Sequence, residues 1–281
     1  MIETMEQVTK QTLKEKCEAM RKTTDYRLPK KTYAMGMLDG RSFSRLIKNH
    51  YEKPFDDKFI NMMNEVAIYV CKNVQGCCFA YTQSDEITFV LTDFESEETS
   101  AFFDYRLCKM LSIIPSLATA KFNQLVTLNT LDTPCSPNDM KELIEMQPLA
   151  QFDCKVWDAE NFNNVFAYLL WRQIDCVRNS KQQAAQTYLS HKQLMGKHTD
   201  EQVKMLLDEK GIDWNDYDEG KKYGRFIYKE EIDKEIPSGE ICKRNVWLAH
   251  DAFPLFEEGG KQKLLELNKI PIKIIESGSL A

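Results

Sequence analysis

The chain has 281 residues, of which 43% are hydrophobic, and its 37 Lys and Arg against 43 Asp and Glu leave a formal net charge of −6. No residue type dominates, which excludes collagen, coiled coil and disorder, and no run approaches the roughly 18 apolar residues of a membrane span. The opening Met1-Ile2-Glu3-Thr4-Met5-Glu6 lacks the basic and apolar regions of a secretory leader, so a cytoplasmic protein without a membrane partner is expected.

Residues 1–25 read as a charged helix with a sparse apolar stripe of Val8, Leu13, Cys17 and Met20, an N-terminal helical arm over 1–29. Thr32 to Leu38 is an apolar run ending in Asp39-Gly40-Arg41, a buried strand and turn. Phe55, Phe59, Met62, Met63, Val66, Ala67 and Val70 recur at helical spacing up to the stop at Gly76. Cys77 to Tyr81 and Ile87 to Leu91 are β-rich runs joined by Thr82-Gln83-Ser84-Asp85-Glu86, the pattern of an antiparallel hairpin. A second helix is predicted from about Ser100 through Ile114, where Pro115 should end or kink it. After a loop with a short helix over Thr127–Pro148, Phe152 to Trp157 reads as a fourth strand.

This order, βαββαβ over 31–157, is the ferredoxin-like arrangement of an α+β protein, and it brings Asp39, Asp85 and Glu86 to one edge. The remainder, 158–281, reads as a mostly helical C-terminal half packed on the 30–157 core. It has a stripe of Val165, Phe166, Leu169, Leu170 and Ile174, a helix over Glu201–Glu209 closed by Gly211, a short strand over Lys222–Tyr228 and a frayed tail at Ser277–Ala281. Trp157 and Trp171 sit on apolar patterns and read as core, and Trp214 as a turn anchor.

Nine cysteines without a CxxC pair and four histidines without HxxxH spacing argue against a disulfide framework, a zinc finger or a compact histidine metal site. Carboxylates at a strand end and in the neighbouring hairpin suit Mg²⁺, which prefers oxygen ligands and shares its shell with phosphates. Two such ions activate an attacking oxygen and stabilise a leaving phosphate. Asp39 and Asp85 are the candidate ligands, Gly40 allows close backbone approach, and a helix beginning near Ser42 would offer free amides to an anion. Asp-Gly is also a common turn dipeptide, and Ser-Asp-Glu is equally the composition of a solvated hairpin tip. What favours the functional reading is that both motifs fall at corresponding ends of the βαββαβ core. From Arg178 to Lys197 there are four basic residues, Arg178, Lys181, Lys192 and Lys197, and no acidic one, so an acidic chain still offers a basic stretch to a polyanion.

Leu38-Asp39-Gly40-Arg41-Ser42-Phe43-Ser44-Arg45-Leu46, Phe79 to Val90 with its Gln83-Ser84-Asp85-Glu86, Trp171 to Cys176 and Gly211 to Asp216 together resemble the tRNA-histidine guanylyltransferase family and its guanylyltransferase-like relatives over roughly residues 30–230. These are 3′-to-5′ RNA polymerases with a polymerase-type palm core. The resemblance implies that Asp39, the Gly40 carbonyl and Asp85 hold two Mg²⁺ ions with Glu86 in support. It implies that Asp39, Gly40, Arg41, Ser42, Phe43 and Ser44, with Ser84 and Asp85, cradle a nucleoside triphosphate. It further implies that Arg106 and Lys109 face the triphosphate, that GTP or ATP activates the 5′ end of a tRNA, and that the chain assembles as a homotetramer.

Histidine-specific members carry His-Ile-Asn-Asn where this chain has Val177-Arg178-Asn179-Ser180, and a histidine at the position of Ser44. Both departures count against histidine-tRNA specificity, and Arg178-Asn179-Ser180 followed by Ser190-His191-Lys192-Gln193-Leu194 resembles the branch that repairs 5′-truncated tRNA on a template. Arg178, Asn179, Lys181, Lys192 and Lys197 are the candidate RNA contacts, each also readable as part of a solvated helix face. A histidine-tRNA-specific enzyme, a nucleotide cyclase on the same palm, and a non-enzymatic RNA-binding protein are the alternatives.

Overall fold

The computed structural model describes residues 10–46, 51–132, 136–235 and 241–273. Val8 of the predicted arm, Cys135 and the tail at Ser277–Ala281 lie outside them. The elements run α1 (Lys10–Lys22), β1 (Tyr33–Gly40), α2 (Phe43–Leu46), α3 (Asp57–Asn73), β2 (Cys77–Gln83), β3 (Glu86–Leu91), α4 (Leu107–Leu131), α5 (Pro137–Met146), β4 (Phe152–Ala159) and α6 (Phe162–Tyr188). Then follow α7 (His191–Leu194), α8 (Thr199–Lys210), α9 (Glu219–Tyr223), β5 (Arg225–Glu235), β6 (Ile241–Asp251) and α10 (Gly260–Glu266). No helix among the described residues is long and apolar enough to cross a membrane.

One six-stranded sheet, in the order β4-β1-β3-β2-β5-β6, organises the molecule, and every neighbouring pair is antiparallel. Its first four strands have the ferredoxin-like order that the βαββαβ pattern predicts. Because side chains alternate across a strand, β1 sends Ala34 and Leu38 to one core, with Met63, Val66 and Val70 of α3 and Met110, Ile114 and Phe122 of α4. It sends Tyr33 and Met35 to the other, with Val165 and Leu169 of α6 and Leu255 and Leu264 beyond β6. Asp39 falls on the α6 side by the same alternation.

Four expectations change. Pro115 neither ends nor interrupts α4, which runs 25 residues. An interior proline costs about 3 kcal/mol, whereas Met110, Ile114, Ala118, Phe122 and Leu125 are all buried along the same helix, each worth about 1.5–3 kcal/mol for the larger side chains. That helix begins only at Leu107, because Phe103, Asp104 and Tyr105 have positive φ in the turn before it. The predicted short strand after Lys222 is the start of a long hairpin: β5 and β6, 11 residues each, extend the palm sheet from its β2 edge. Trp171 is not core, being 56% exposed, while Trp214 is buried and anchors its turn through Nε1 donating to Ser180 Oγ at 3.2 Å.

Candidate active site

At the end of β1, Asp39 pairs in register with Glu86 of β3 on one side and Asp153 of β4 on the other. The β2–β3 connection is two residues, Ser84-Asp85, flanked by the pair Gln83 and Glu86. Its main chain is tied to β1 where Gly40 N donates to the Asp85 carbonyl at 3.2 Å. Ser84 and Ser42 both have positive φ, 47° and 57°, so each acidic motif is shaped by a residue in a conformation that favours glycine. Such backbone strain concentrates at functional sites. At Gly40 a side chain would run into Phe43, whose ring atoms lie as close as 2.4 Å to the place a Cβ would take.

The three carboxyls differ in their partners. Glu86 accepts from Arg172 Nε at 3.0 Å and Nη2 at 2.7 and 2.8 Å, and from Gln83 Nε2 at 3.1 Å. Asp85 accepts from the Ser84 hydroxyl at 2.9 Å and has no ion pair among the described residues. Burial pushes all three carboxyls above the usual carboxylate range. The Asp153 charge pushes Asp39 further, against Lys155 and Arg172; the Asp39 charge adds to Asp85; Arg172 pulls Glu86 back. The raised values reflect negative charge gathered in a partly dry place without enough positive charge to balance it.

Arg172 is the residue that motif reading passed over. Its side chain is 8% exposed and also bridges to Asp175 at 2.9 Å, with Arg178 on the far oxygen of Asp175. Gln173 beside it fastens α6 to the C-terminal segment, donating to Phe253 O at 3.0 Å and Tyr223 O at 3.3 Å and accepting from Leu255 N at 2.6 Å. The signal lay in Trp171-Arg172-Gln173 on a helical stripe, where a buried arginine demands a carboxylate. Asp153 gave no signal, because only strand pairing brings it to Asp39.

A cleft opens beside Ser84, lined by Tyr51, Glu52, Phe55, Asn179, Gln183 and the buried Arg225 among others. Arg225 has no carboxylate in salt-bridge contact among the described residues; it donates to Asn64 Oδ1 and Gly220 O, both at 2.8 Å, and burial lowers its affinity for its proton, against the more distant charges of Asp251 and Asp57. The guanidinium therefore lends the cleft a positive floor.

The remaining candidates separate. Arg41 donates its amide to Gln151 O at 2.9 Å, so that N–H is already used, and the Phe43 ring is buried against Phe59, Phe122 and Phe152. The exposed Ser42 and Ser44 flank it on the turn. Arg178 and Asn179 stand beside Asp175 near the carboxylates, whereas Lys181 is bound to Asp200 at 2.7 Å and lies over Trp214, and Lys192 and Lys197 are exposed beyond the end of α6.

Arg106 and Lys109 are not brought to the carboxylates. Leu28 N donates to Tyr105 O and Leu107 N to Tyr26 O, fixing the start of α4 ahead of β1, at the end of the sheet remote from Asp39. The end of β1 near Asp39 is instead met some three turns along α4, where Phe152 N donates to Thr119 Oγ1. Arg106 pairs with Asp25 at 2.8 Å, and the Lys109 ammonium is 6.0 Å from the Phe103 ring centre. The helical spacing that sets the pair on one face is real, but α4 runs toward the site rather than away from it.

The family model for tRNAHis guanylyltransferase (Thg1) matches residues 13–159. An uncharacterized protein of Acanthamoeba polyphaga mimivirus is 29% identical over 218 residues, 74% of each chain. The tRNA(His) guanylyltransferase of Schizosaccharomyces pombe is 28% identical over 220 residues, 74% of this chain and 78% of that one. Among solved structures, a bacterial tRNA(His) guanylyltransferase (Thg1)-like protein in complex with ATP superimposes with a TM-score of 0.75 at 28% identity, covering 92% of this chain and 99% of the other. A bacterial Thg1-like protein in complex with GTP gives 0.70 at 26%, covering 92% and 97%. The βαββαβ sheet, the acidic turn at its edge and these likenesses agree: the chain belongs to the tRNAHis guanylyltransferase family and is a nucleotidyltransferase.

Proposed function

We propose that the protein adds nucleotides to the 5′ end of tRNA, extending the chain in the 3′-to-5′ direction, and that its task is template-dependent repair of tRNA missing 5′ nucleotides. The observation that carries this is the pair Asp39 and Asp85: partly buried, mutually repelling, and short of positive charge, on a turn whose Ser84 lines a cleft.

That donor set fits a hard divalent cation. Among the described residues no three His, Cys, Asp or Glu side chains form a closed cage, so the shell would be completed by water and phosphate oxygens, the habit of Mg²⁺. Asp39, Asp85 and the Gly40 carbonyl would hold two ions. Bound there, Mg²⁺ supplies neutralisation of phosphate charge and a more acidic attacking hydroxyl. The chain's own residues orient and hold. The Ser84 hydroxyl fixes one Asp85 oxygen, Arg172 keeps Glu86 from turning toward Asp39, and the amides from Ser42 to Ser44 face the triphosphate on the exposed side of the turn.

Activation joins a 5′-monophosphate oxygen to the α-phosphorus of ATP or GTP with loss of pyrophosphate. The 3′-hydroxyl of the incoming nucleotide then attacks the 5′ phosphorus and displaces the nucleoside monophosphate. A 5′-triphosphate end omits the first step and loses pyrophosphate. Positioning and electrostatics carry most of such catalysis.

Arg178 and Asn179, beside Asp175, are the inner RNA contacts in this reading, with Lys181, Lys192 and Lys197 toward the outside. Arg106 and Lys109 serve as triphosphate ligands only across a contact between copies, in the homotetramer that the family resemblance implies. Mixed assemblies of Lys109→Ala and Asp39→Ala chains would then regain activity that neither has alone.

The test is extension of a 5′-monophosphorylated tRNA lacking its first nucleotide, with Mg²⁺ and labelled nucleotides, beside Asp39→Ala and Asp85→Ala. Template-matched extension lost in both variants is expected. The names of the relatives equally suit a histidine-specific enzyme; in that case guanosine would be added to tRNA(His) regardless of the opposing base. Binding without extension on any tRNA would overturn both.

A further inference from the structure

We infer that the exposed Trp171, backed by the half-buried Tyr168 and Trp157 and flanked by the exposed Lys155, is a stacking platform for an unpaired base at the end of the RNA substrate. Three observations carry it. The rings form a continuous ladder: Trp157 and Tyr168 centroids are 4.5 Å apart and Tyr168 and Trp171 5.4 Å, the second pair edge-to-face. The outermost ring is open, Trp171 being 56% exposed on a helix whose neighbouring residues Arg172 and Gln173 are buried.

The strip also adjoins the carboxylates. Arg172, whose guanidinium lies 4.7 Å from the Trp171 ring centre, is the residue that holds Glu86. Tyr168 Oη donates to Met37 Sδ, two residues before Asp39 on the same face of β1. Along the edge strand β4, Asp153, Lys155 and Trp157 follow one another on that face, opposite Asp39, Met37 and Met35. Lys155 is exposed and has no side-chain partner among the described residues, yet its charge is felt at Asp39. One exposed cation between an aromatic ladder and a phosphate-handling site is the composition of a surface that tracks single-stranded nucleic acid.

The occupant is the RNA rather than the free nucleotide because Trp171 and Lys155 are exposed without walls around them, beside the edge strand β4. The cleft by Ser84, walled by residues of α3, α6 and β5, is the more concave surface and suits the free nucleotide better. The assignment rests on the reading of the protein as an enzyme acting at an RNA end, and it is tested by binding so that the two can fail separately.

The probe is an RNA hairpin with a 5′ monophosphate, prepared either blunt or with a short unpaired end, titrated into the full chain without divalent cation. Wild type should prefer the unpaired end. Trp171→Leu should weaken that complex roughly tenfold to a hundredfold, in line with loss of one stacked base, and leave blunt-RNA and ATP binding unchanged. Trp171→Phe, which keeps a π-face, should restore most of it, and Lys155→Gln should lower the salt dependence for both RNAs by about one counterion. Equal loss for blunt and unpaired RNA in Trp171→Leu, or full affinity in that variant, overturns the platform even where extension activity is intact. A loss of ATP binding in Trp171→Leu would assign the ring to the nucleotide instead and overturn it too.

Discussion

The two ends of β1 treat negative charge in opposite ways. Ahead of Tyr33, Asp25 and Asp104 are each met by cations: Asp25 by Arg106 and Arg27, Asp104 by Arg27 and Lys30. Beyond Leu38, Asp153 repels Asp39 and Asp39 repels Asp85; Arg172 is committed to Glu86 and Asp175, and Lys155 acts on Asp39 without an ion pair among the described residues. The first arrangement closes on itself and serves the fold. The second is complete only when something positive arrives, which is why a carboxylate count alone could not tell the two apart.

The largest effect expected from disturbing this contrast is catalytic. Asp39→Ala or Asp85→Ala should lower nucleotide transfer by several kcal/mol of barrier, about a thousandfold or more, read in single-turnover extension with no loss of folding. Next is stability. Glu86→Ala strands the buried Arg172 with only Asp175, and should cost about 3 kcal/mol in urea unfolding, whereas Asp104→Ala at the other end, in a half-exposed cluster, should cost less than about 1 kcal/mol. Equal costs at the two ends would erase the distinction.

A smaller effect runs in the opposite direction. Because burial and Asp39 raise the Asp85 carboxyl, the folded state binds that proton more tightly than the unfolded one. Its contribution therefore favours folding at acid pH and is lost as pH rises through the raised value. Asp85→Asn should accordingly raise the melting temperature of the metal-free protein at neutral pH by roughly a few degrees. The gain should fade on acidification through the range where Asp85 takes up its proton, and added Mg²⁺ should raise the melting temperature of the wild type but not of the variant. The smallest effect belongs to the outer lysines: Lys192→Ala or Lys197→Ala should each reduce the salt slope of tRNA binding by about one, uniformly across sequences.

What the chain disclosed in advance was whatever local chemistry determines. Asp39 after an apolar run and Ser84-Asp85 between two β-rich runs located the acidic edge, since a strand pattern of period two and a tight turn are both written within a few residues. Arg172 was legible only in part, because its partner lies 86 positions away and a helix stripe does not say which strand it covers. Arg106 and Lys109 misled because spacing places residues on a face of α4 but says nothing of the direction in which α4 crosses the sheet. A tryptophan on an apolar pattern reads as core because large aromatic side chains are mostly buried, and Trp171 departs from that rule. β6 left little trace: Ile241-Cys242-Lys243-Arg244-Asn245 is largely solvated on both faces, and alternation vanishes when neither face is buried.

The β5–β6 hairpin has a consequence for how this surface can change over generations. Only Arg225, Phe226 and Ile227 pair with β2, yet all 11 residues of β5 are matched one to one with β6 without a bulge. Tyr228 and Trp247 just past that root are still buried, but from the pair Glu230 and Val246 outward the ribbon is paired only with itself, so that outer part can be lengthened or trimmed by adding or removing opposed pairs, while a one-sided insertion would force a bulge. Natural variants should therefore differ there by even numbers of residues. A change of one pair would turn the outer faces of the ribbon over, and a change of two would turn them back.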